Sequence, residues 1–452
     1  MFPTTKPLAM EAKPEIDLSN KFEDLKKELG ASSTVDIDSS LEKLLIFEKQ
    51  VRQASDAITN TRVLCFIADL LYHAHDFQGL NEQLVNLSKK HGQLKQAMTS
   101  LVQHVMNYLP AIEDLKKKID LIETLRTITD GKIYVEVERA RLTQLLSQIK
   151  EEHGDVKAAQ EILCNEPVET YGSFDQKEKV AFILDQVRLF LLRSDFYMAS
   201  IFTKKINTKF FEKEGVESLK LKYYEQKIRI GLHDDAYLDV CKYYRAVYDT
   251  SIVQEDPEKW KEILENVVCF VLLSPYDNEQ ADLLHRINSD HKLNSVPLLQ
   301  QLVKCFTVNE LMRWPKISEI YGSVLRSTPV FAENDEKGEK RWSELRKRVI
   351  EHNMRTVAKY YSRIQCDRLG VLLDMNPEET ELFLSDLITK RQFYARIDRP
   401  AQVITFKKPK NVHEQLNEWG TNISALLEKL EKTRQLIIKE EMMHSIQQAV
   451  AK

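Results

Sequence analysis

The sequence predicts an all-α solenoid of helical-hairpin (TPR-like) repeats, followed by a winged-helix domain and a long C-terminal helix. Three observations predict it. Glycine and proline are scarce, 12 and 13 among 452 residues, each roughly 3% against typical usage of about 7% and 5%, which argues against turn-rich β architecture. A turn signal recurs about every forty residues through the first half, the period of stacked helical pairs. Toward the C-terminus, two helices in a tight turn and a candidate strand pair precede a heptad-patterned run.

In chain order, residues 1 to about 38 carry Pro3, Pro7 and Pro14 and few apolar residues, and are expected to form a flexible N-terminal arm. The solenoid is expected over 39–325. Its turn signal is an acid followed by an apolar residue that opens a new amphipathic helix, seen at Asp76-Phe77, Asp155-Val156, Asp195-Phe196 and Asp235-Ala236. The steps 195 − 155 and 235 − 195 are both 40, and 155 − 76 is 79, two beats. Asp114-Leu115 fills the missing beat and Asp277-Asn278 is the candidate for the next. Single helices agree: Leu142, Leu145, Leu146 and Ile149 share one face, as do Val180, Ile183, Leu184, Val187 and Leu191. One helical pair cannot bury such a face alone, so the pairs must stack. Residues 328–338 read as a surface loop before the next domain.

The winged helix is expected over 339–408. Ile350, Met354, Val357, Ala358 and Tyr361 line one face of its first helix. After the short segment 362–365 comes a compact helix with Leu369, Leu372 and Leu373. Asn376-Pro377, a polar N-cap before proline, opens another helix to about Gln392 that buries Phe383, Leu384, Leu387 and Ile388. Phe393, Ala395 and Ile397 alternate in one candidate strand, Asp398-Arg399-Pro400 makes the turn, and Val403-Ile404-Thr405-Phe406 returns. Such a module often reads DNA. Between Asn376 and Arg391, however, Glu378, Glu379, Glu381 and Asp386 outnumber Lys390 and Arg391, where a groove reader needs bases. The remaining use is to add a sheet edge or a helix face to a neighbouring protein.

Over 411–452, Leu416, Trp419, Ile423, Leu426, Leu430, Thr433 and Ile437 step by three and four alternately, an a/d seam broken at Thr433 alone. A stripe of this kind packs either on partner helices or back on its own domain. Gly420 costs about 1 kcal/mol in a helix interior, so a bend or restart capped by Thr421 or Asn422 is expected there. Met442, Met443, Ile446 and Val450 supply a further apolar set, with methionine suited to an adaptable surface.

Composition bounds the chemistry. A 30% charged fraction with net charge −4 describes a solvated surface and not a nucleic-acid or membrane binder. No apolar run approaches the roughly 20 residues of a membrane span and no signal-peptide core opens the chain, so an intracellular protein is expected. The six cysteines, at 65, 164, 241, 269, 305 and 366, form no CxxC pair and read as reduced, mostly buried thiols. The motifs GxxxxGK[ST], GxGxxG, HExxH and GxSxG are missing. His73-Ala74-His75 before Asp76 has the HxH spacing of JAMM metalloproteases, but the position of their further aspartate holds Asn86. A zinc site needs three or more convergent ligands, so these histidines read as the end of a helix, and no catalytic residue, metal or cofactor is expected. The pairs Tyr223-Tyr224, Tyr243-Tyr244 and Tyr360-Tyr361 read as core rings with one wet hydroxyl.

Beyond these patterns, longer stretches carry a resemblance. GKIYVEVERARLT (131–143), KINTKFF (205–211), LKLKYY (219–224), YRAVYDT (244–250), DNEQADLLHRI (277–287), NELMRW (309–314) and EKRWSELRKRVIEHNMRTVAKYYSRI (339–364) resemble the PCI family of scaffold subunits. Within it they resemble the non-ATPase subunit 12 family of the proteasome regulatory-particle lid, through nearly the whole chain after residue 40. The resemblance implies a non-catalytic scaffold of cytoplasm and nucleus. PCI winged helices would join edge to edge, here through Phe393, Ile397, Val403, Ile404 and Phe406. C-terminal helices would collect in a bundle, here through Leu416, Trp419, Ile423, Leu426, Leu430 and Ile437. It implies other PCI lid subunits and the JAMM deubiquitinase subunit as partners, with the solenoid reaching toward the proteasome core or base. A PCI scaffold of the COP9 signalosome or of a translation-initiation assembly, and a nucleic-acid-binding winged helix, are the alternatives.

Overall fold

The computed structural model describes residues 19–31, 37–54, 56–213, 215–333, 335–407 and 410–450. They are overwhelmingly helical and divide into two compact units, 1–263 and 264–452.

In the first unit the forty-residue beat has one backbone origin. Helices Ala57–His73 and Phe77–Lys89, Glu136–Glu152 and Val156–Cys164, Gln176–Leu192 and Phe196–Lys204, and Glu217–His233 and Tyr237–Tyr248 are joined by the same turn. A residue in the left-handed region ends the first helix: His75 (φ 57°), Gly154 (83°), Ser194 (64°) and Asp235 (54°). The next N–H then bonds back five residues, Asp76 to Leu71 O (3.2 Å), Asp155 to Lys150 O (3.0 Å), Asp195 to Phe190 O (2.9 Å) and Ala236 to Gly231 O (3.0 Å). This is the Schellman closure. The residue whose N–H closes it is also the N-cap of the second helix. Asp76 Oδ1 accepts from Gly79 N–H at 2.9 Å, and Asp195 caps likewise at 3.4 Å. At the fourth turn Asp235 itself takes the left-handed position, so the cap falls to Ala236. Asp114 and Asp277 also cap helices, Leu115–Thr129 and Asn278–Asn288, but without a left-handed residue before them.

Stacking buries the faces read from sequence. Leu142, Leu146, Val187 and Leu184 are at most 3% exposed. Polar links bind each hairpin to the next at the repeat spacing: Gln144 Nε2 donates to Asp185 Oδ2 (2.7 Å), Arg188 Nη2 to Glu151 Oε2 (2.7 Å) and Gln226 Nε2 to Leu184 O (3.0 Å). The Arg188 hydrogen bond holds the Glu151 carboxyl below the usual range. Within the segment read as an arm, Ser19–Ala31 is helical. Its Phe22 is buried, stacked on Phe47 at 6.3 Å and edge-on to Phe66 at 5.9 Å, because this one aromatic completes the apolar face of the first hairpins. The rest of 1–36 lies outside the described residues. Tyr223, Tyr224 and Tyr243 pack ring to ring as expected, whereas Tyr360 and Tyr361 are exposed at the end of their helix.

The second unit begins well before residue 325, where the sequence reading ends the solenoid. The reason is one long helix, Glu336–Tyr360, that ties itself to the helices before it. Asn353 accepts from Met312 N–H (2.8 Å) and donates to Met312 O (2.6 Å), and Arg348 Nε donates to Leu273 O (3.0 Å). Its start also closes the loop at 328–338. Val330 and Phe331 are buried, Phe331 lies edge-on to Trp342 at 5.9 Å, and a Cβ at Gly338 would stand 2.2 Å from Ala332 O. That segment is therefore core in its first half.

The winged helix follows. Cys366–Leu373 ends in left-handed Asp374, with Met375 N–H bonded to Gly370 O at 3.0 Å, and Pro377 opens Pro377–Thr389. Ile350, Met354, Val357, Leu369, Leu384 and Leu387 share its core. The short segment at 362–365 is a strand. β1 (Arg363–Gln365), β2 (Arg396–Asp398) and β3 (Val403–Thr405) form an antiparallel sheet in the order β1-β3-β2, with Ile364 and Ile397 both opposite Ile404.

The turns and the core can each be tested by stability measurements. Nothing lies within 4 Å of where a Cβ on Gly154 would stand, so Gly154→Ala carries the left-handed penalty alone and lowers unfolding free energy by about 1 kcal/mol. Ser194→Gly shifts it the other way, because relief of about 1–2 kcal/mol exceeds the glycine entropy cost of about 0.5–1. Urea midpoints moving in the same direction would sink this account. Separately, burial, aided by the Arg355 charge, lowers the His352 pKa from 6.5 to about 4. The unfolded chain takes up a proton below 6.5 that the folded chain refuses, so stability falls as pH drops from about 6.5 toward 4. Urea titrations at several pH values should show that slope, and His352→Gln should flatten it.

Candidate protein–protein interface

The C-terminal helix, Val412–Val450, runs unbroken through Gly420. Thr421 does not cap a restart there; its hydroxyl donates to Asn417 O at 2.5 Å within the continuous helix. Leu416, Trp419, Ile423, Leu426, Leu430 and Ile437 are 44 to 65% exposed. The stripe is thus not folded back on its own domain. Leu427 and Ile438, exposed beside the seam, widen it; the strict a/d template passed over them because they fall just off its three-four steps. So much continuous apolar surface on one helix is more than a monomer ordinarily exposes.

The wing divides differently from its sequence reading. Ile404 is 1% exposed and Phe406 is buried, both inside the winged-helix core, and Val403 is half-buried on the central strand. β3 is paired on both sides, so Val403, Ile404 and Phe406 offer no free edge. Ser362 O accepts from Phe406 N–H (3.0 Å) and Gln402 O from Cys366 N–H (2.9 Å), which in alternating antiparallel pairing turns the Ile404 backbone toward β1. The β2 side of β3 is then bonded by Arg396 and Asp398, and the Ile397 N–H and C=O point outward. Ile397 and Phe393 are half-buried, against Ile404 and against Phe406 at 6.0 Å between rings. The open edges are β1 and β2, and β1 was missed because Arg363-Ile364-Gln365 holds one apolar residue and so shows no alternation.

On Pro377–Thr389 the acids keep their excess. Lys390 pairs with Asp386 (2.6 Å) and Arg399 with Glu381 (2.7 Å), while Glu378 and Glu379 stand in the first turn. That surface repels phosphate.

The groups that could do chemistry are held for structure. His73 is the last residue of its helix, His75 is the left-handed turn residue, and the Asp76 carboxylate is engaged as a cap. Among the described residues no group of three or more His, Cys, Asp or Glu side chains could hold a metal ion. One cluster escaped the sequence reading: Asp69 accepts from Tyr108 and meets His104 Nε2 at 2.9 Å, with Cys65 one turn away. Burial pushes the Cys65 and Cys164 thiols up to about 11 and those of Cys241 and Cys269 up to about 12, the reverse of an activated nucleophile. Cys241 and Cys269 are buried; the other four cysteines are half-buried. Among the described residues no helix is long and apolar enough to cross a membrane.

Comparison with known proteins agrees with this architecture. The family model PSMD12/CSN4, N-terminal, matches residues 39–256, the PCI domain model 305–408, and the 26S proteasome regulatory subunit RPN5 C-terminal domain 414–445. The chain is 83% identical over 443 residues to the 26S proteasome regulatory subunit rpn501 of Schizosaccharomyces pombe, covering 98% of this chain and 100% of that one. It is 45% identical over 414 residues to the 26S proteasome regulatory subunit RPN5 of Saccharomyces cerevisiae, covering 91% and 93%. It is 40% identical over 407 residues to the 26S proteasome non-ATPase regulatory subunit 12 of Dictyostelium discoideum, covering 90% of each. The chain belongs to the RPN5, or non-ATPase subunit 12, family of 26S proteasome regulatory subunits.

Proposed function

We infer that the chain is a non-catalytic scaffold of the proteasome regulatory-particle lid, joining neighbouring subunits for ATP-dependent degradation of ubiquitinated proteins in cytoplasm and nucleus. The observation that carries this reading is the helix Val412–Val450, whose apolar seam lies exposed while the winged helix has a closed core of its own. Other PCI subunits meet its C-terminal seam and the free edges of its sheet, with Ile397 and Phe393 at the β2 edge. The JAMM deubiquitinase subunit lies close by, and the solenoid over 39–325 reaches the proteasome core or base.

Three outcomes test this. Ile397→Pro removes an outward N–H and spares the bonds to β3, so the chain should stay folded and enter the lid poorly, whereas Ile404→Pro breaks its own central strand and melts the winged helix. Normal lid yield from Ile397→Pro would remove the β2 edge from the interface. Truncation before Asn411 should leave a soluble helical chain that no longer co-purifies with lid subunits; aggregation or general loss of helicity by circular dichroism would return the helix to this chain's own core. Changing His73 and His75 together to Gln should leave deubiquitination by the assembled particle within about twofold, since a zinc ligand would cost far more. Loss of activity together with a stoichiometric metal would overturn the scaffold reading.

A further inference from the structure

The apolar face of the C-terminal helix changes sides near its end. At about 100° per residue, Leu416, Trp419, Ile423, Leu426, Leu427, Leu430, Ile437 and Ile438 fall within a sector of about 120°. Leu436, Met442, Met443 and Ile446 fall in another sector of similar width, and the two centres lie about 160° apart. All four are exposed, Leu436 at 55%, Met442 at 60%, Met443 at 44% and Ile446 at 62%. Beyond Ile438 the first sector turns polar. Continuing the heptad from Ile437 gives Glu440 and His444, and a four-residue stutter gives Glu441 and again His444. No change of supercoil keeps one partner on an apolar track.

We propose that Leu436, Met442, Met443 and Ile446 form a second seam, occupied by an amphipathic helix of a different subunit from the one on the heptad seam. This rests on the scaffold reading above. A straight partner helix lying along the first seam cannot reach the opposite side of the same rod. The second seam runs from Leu436 to Ile446, a rise of about 15 Å, too short for the roughly 1,600 Å² of a stable self-association. Its occupant is therefore held in an assembly that the first seam builds. Lys432 and Lys439 lie in this sector and no acid between 432 and 446 does; among the described residues neither lysine forms an ion pair. The occupant accordingly carries carboxylates beside its apolar stripe, and the paired methionines adapt to its side chains.

A photo-crosslinking amino acid placed at Leu426 or at Met443 in the intact particle tests this. The two positions should capture two different polypeptides. Met443→Asp with Ile446→Asp should abolish the capture made from Met442 and keep that made from Leu426, and Lys432→Glu with Lys439→Glu should reduce the former severalfold. Capture of one and the same polypeptide at Leu426 and Met443, or capture at Leu426 with none at Met443, overturns the second seam and leaves the scaffold reading standing. Failure of both positions to capture a proteasome subunit overturns the scaffold reading and this inference with it.

Discussion

One backbone device organises this chain: a residue forced into the left-handed region, closed by an N–H that reaches back five residues. It ends helices before Asp76, Asp155, Asp195 and Ala236, and again at Asp374 in the winged helix. In the first unit the residue that donates this bond is also the first cap of the following helix. Helix end and helix start are therefore compressed into three or four residues, and the hairpin angle is set by a hydrogen bond, with no long loop to vary it. Identical turns at a near-constant spacing bring each hairpin onto the next in the same orientation, so the apolar faces become continuous. The Gln144–Asp185 and Arg188–Glu151 links then fall into place one repeat apart.

The same device explains what was legible in the sequence. The capping acid is chemically distinctive, and its forty-residue recurrence survived without any glycine signal; only Gly154 among the four left-handed residues is a glycine. Two strong patterns, the helical face of Ile350, Met354 and Val357 and the seam from Leu416 to Ile437, were likewise readable, because long periodic segments leave little choice of face. What escaped was short or tertiary. β1 has one apolar residue, Ile364, and the helix Ser19–Ala31 contributes one buried aromatic, Phe22, among charges. The helices at the start of the second unit are tied to Glu336–Tyr360 by Arg348, whose Nε donates to Leu273 O seventy-five positions away, a partner no local pattern announces.

The wing shows how a correct element can carry a wrong inference. Alternation of Val403, Ile404 and Phe406 does predict a strand, but alternation says which side chains are buried and nothing of which backbone edge is free. Once β1 is added, β3 becomes the centre and its side chains belong to the domain's own core. The apolar residues that made the strand recognisable are thus the ones least available to a partner. Of the two open edges, β2 is a three-residue strand with Arg396 and Asp398 on its exposed positions, features that protect free edges from indiscriminate pairing.

The C-terminal helix stands at the other extreme. It shares no core with the winged helix, and its backbone bonds alone hold it straight across Gly420, where the missing side chain costs about 1 kcal/mol. A helix of this length closes all its interior hydrogen bonds, which keeps it continuous, while its leucines and isoleucines stay exposed to water. Each large apolar side chain moved from water into a bundle contributes about 1.5–3 kcal/mol, less its ordering cost. With the helix already continuous, little of that gain would be spent on folding the segment if partner helices cover it as proposed. If this helix is the assembly element proposed above, its loss takes no side chain from the winged-helix core, which does not include it.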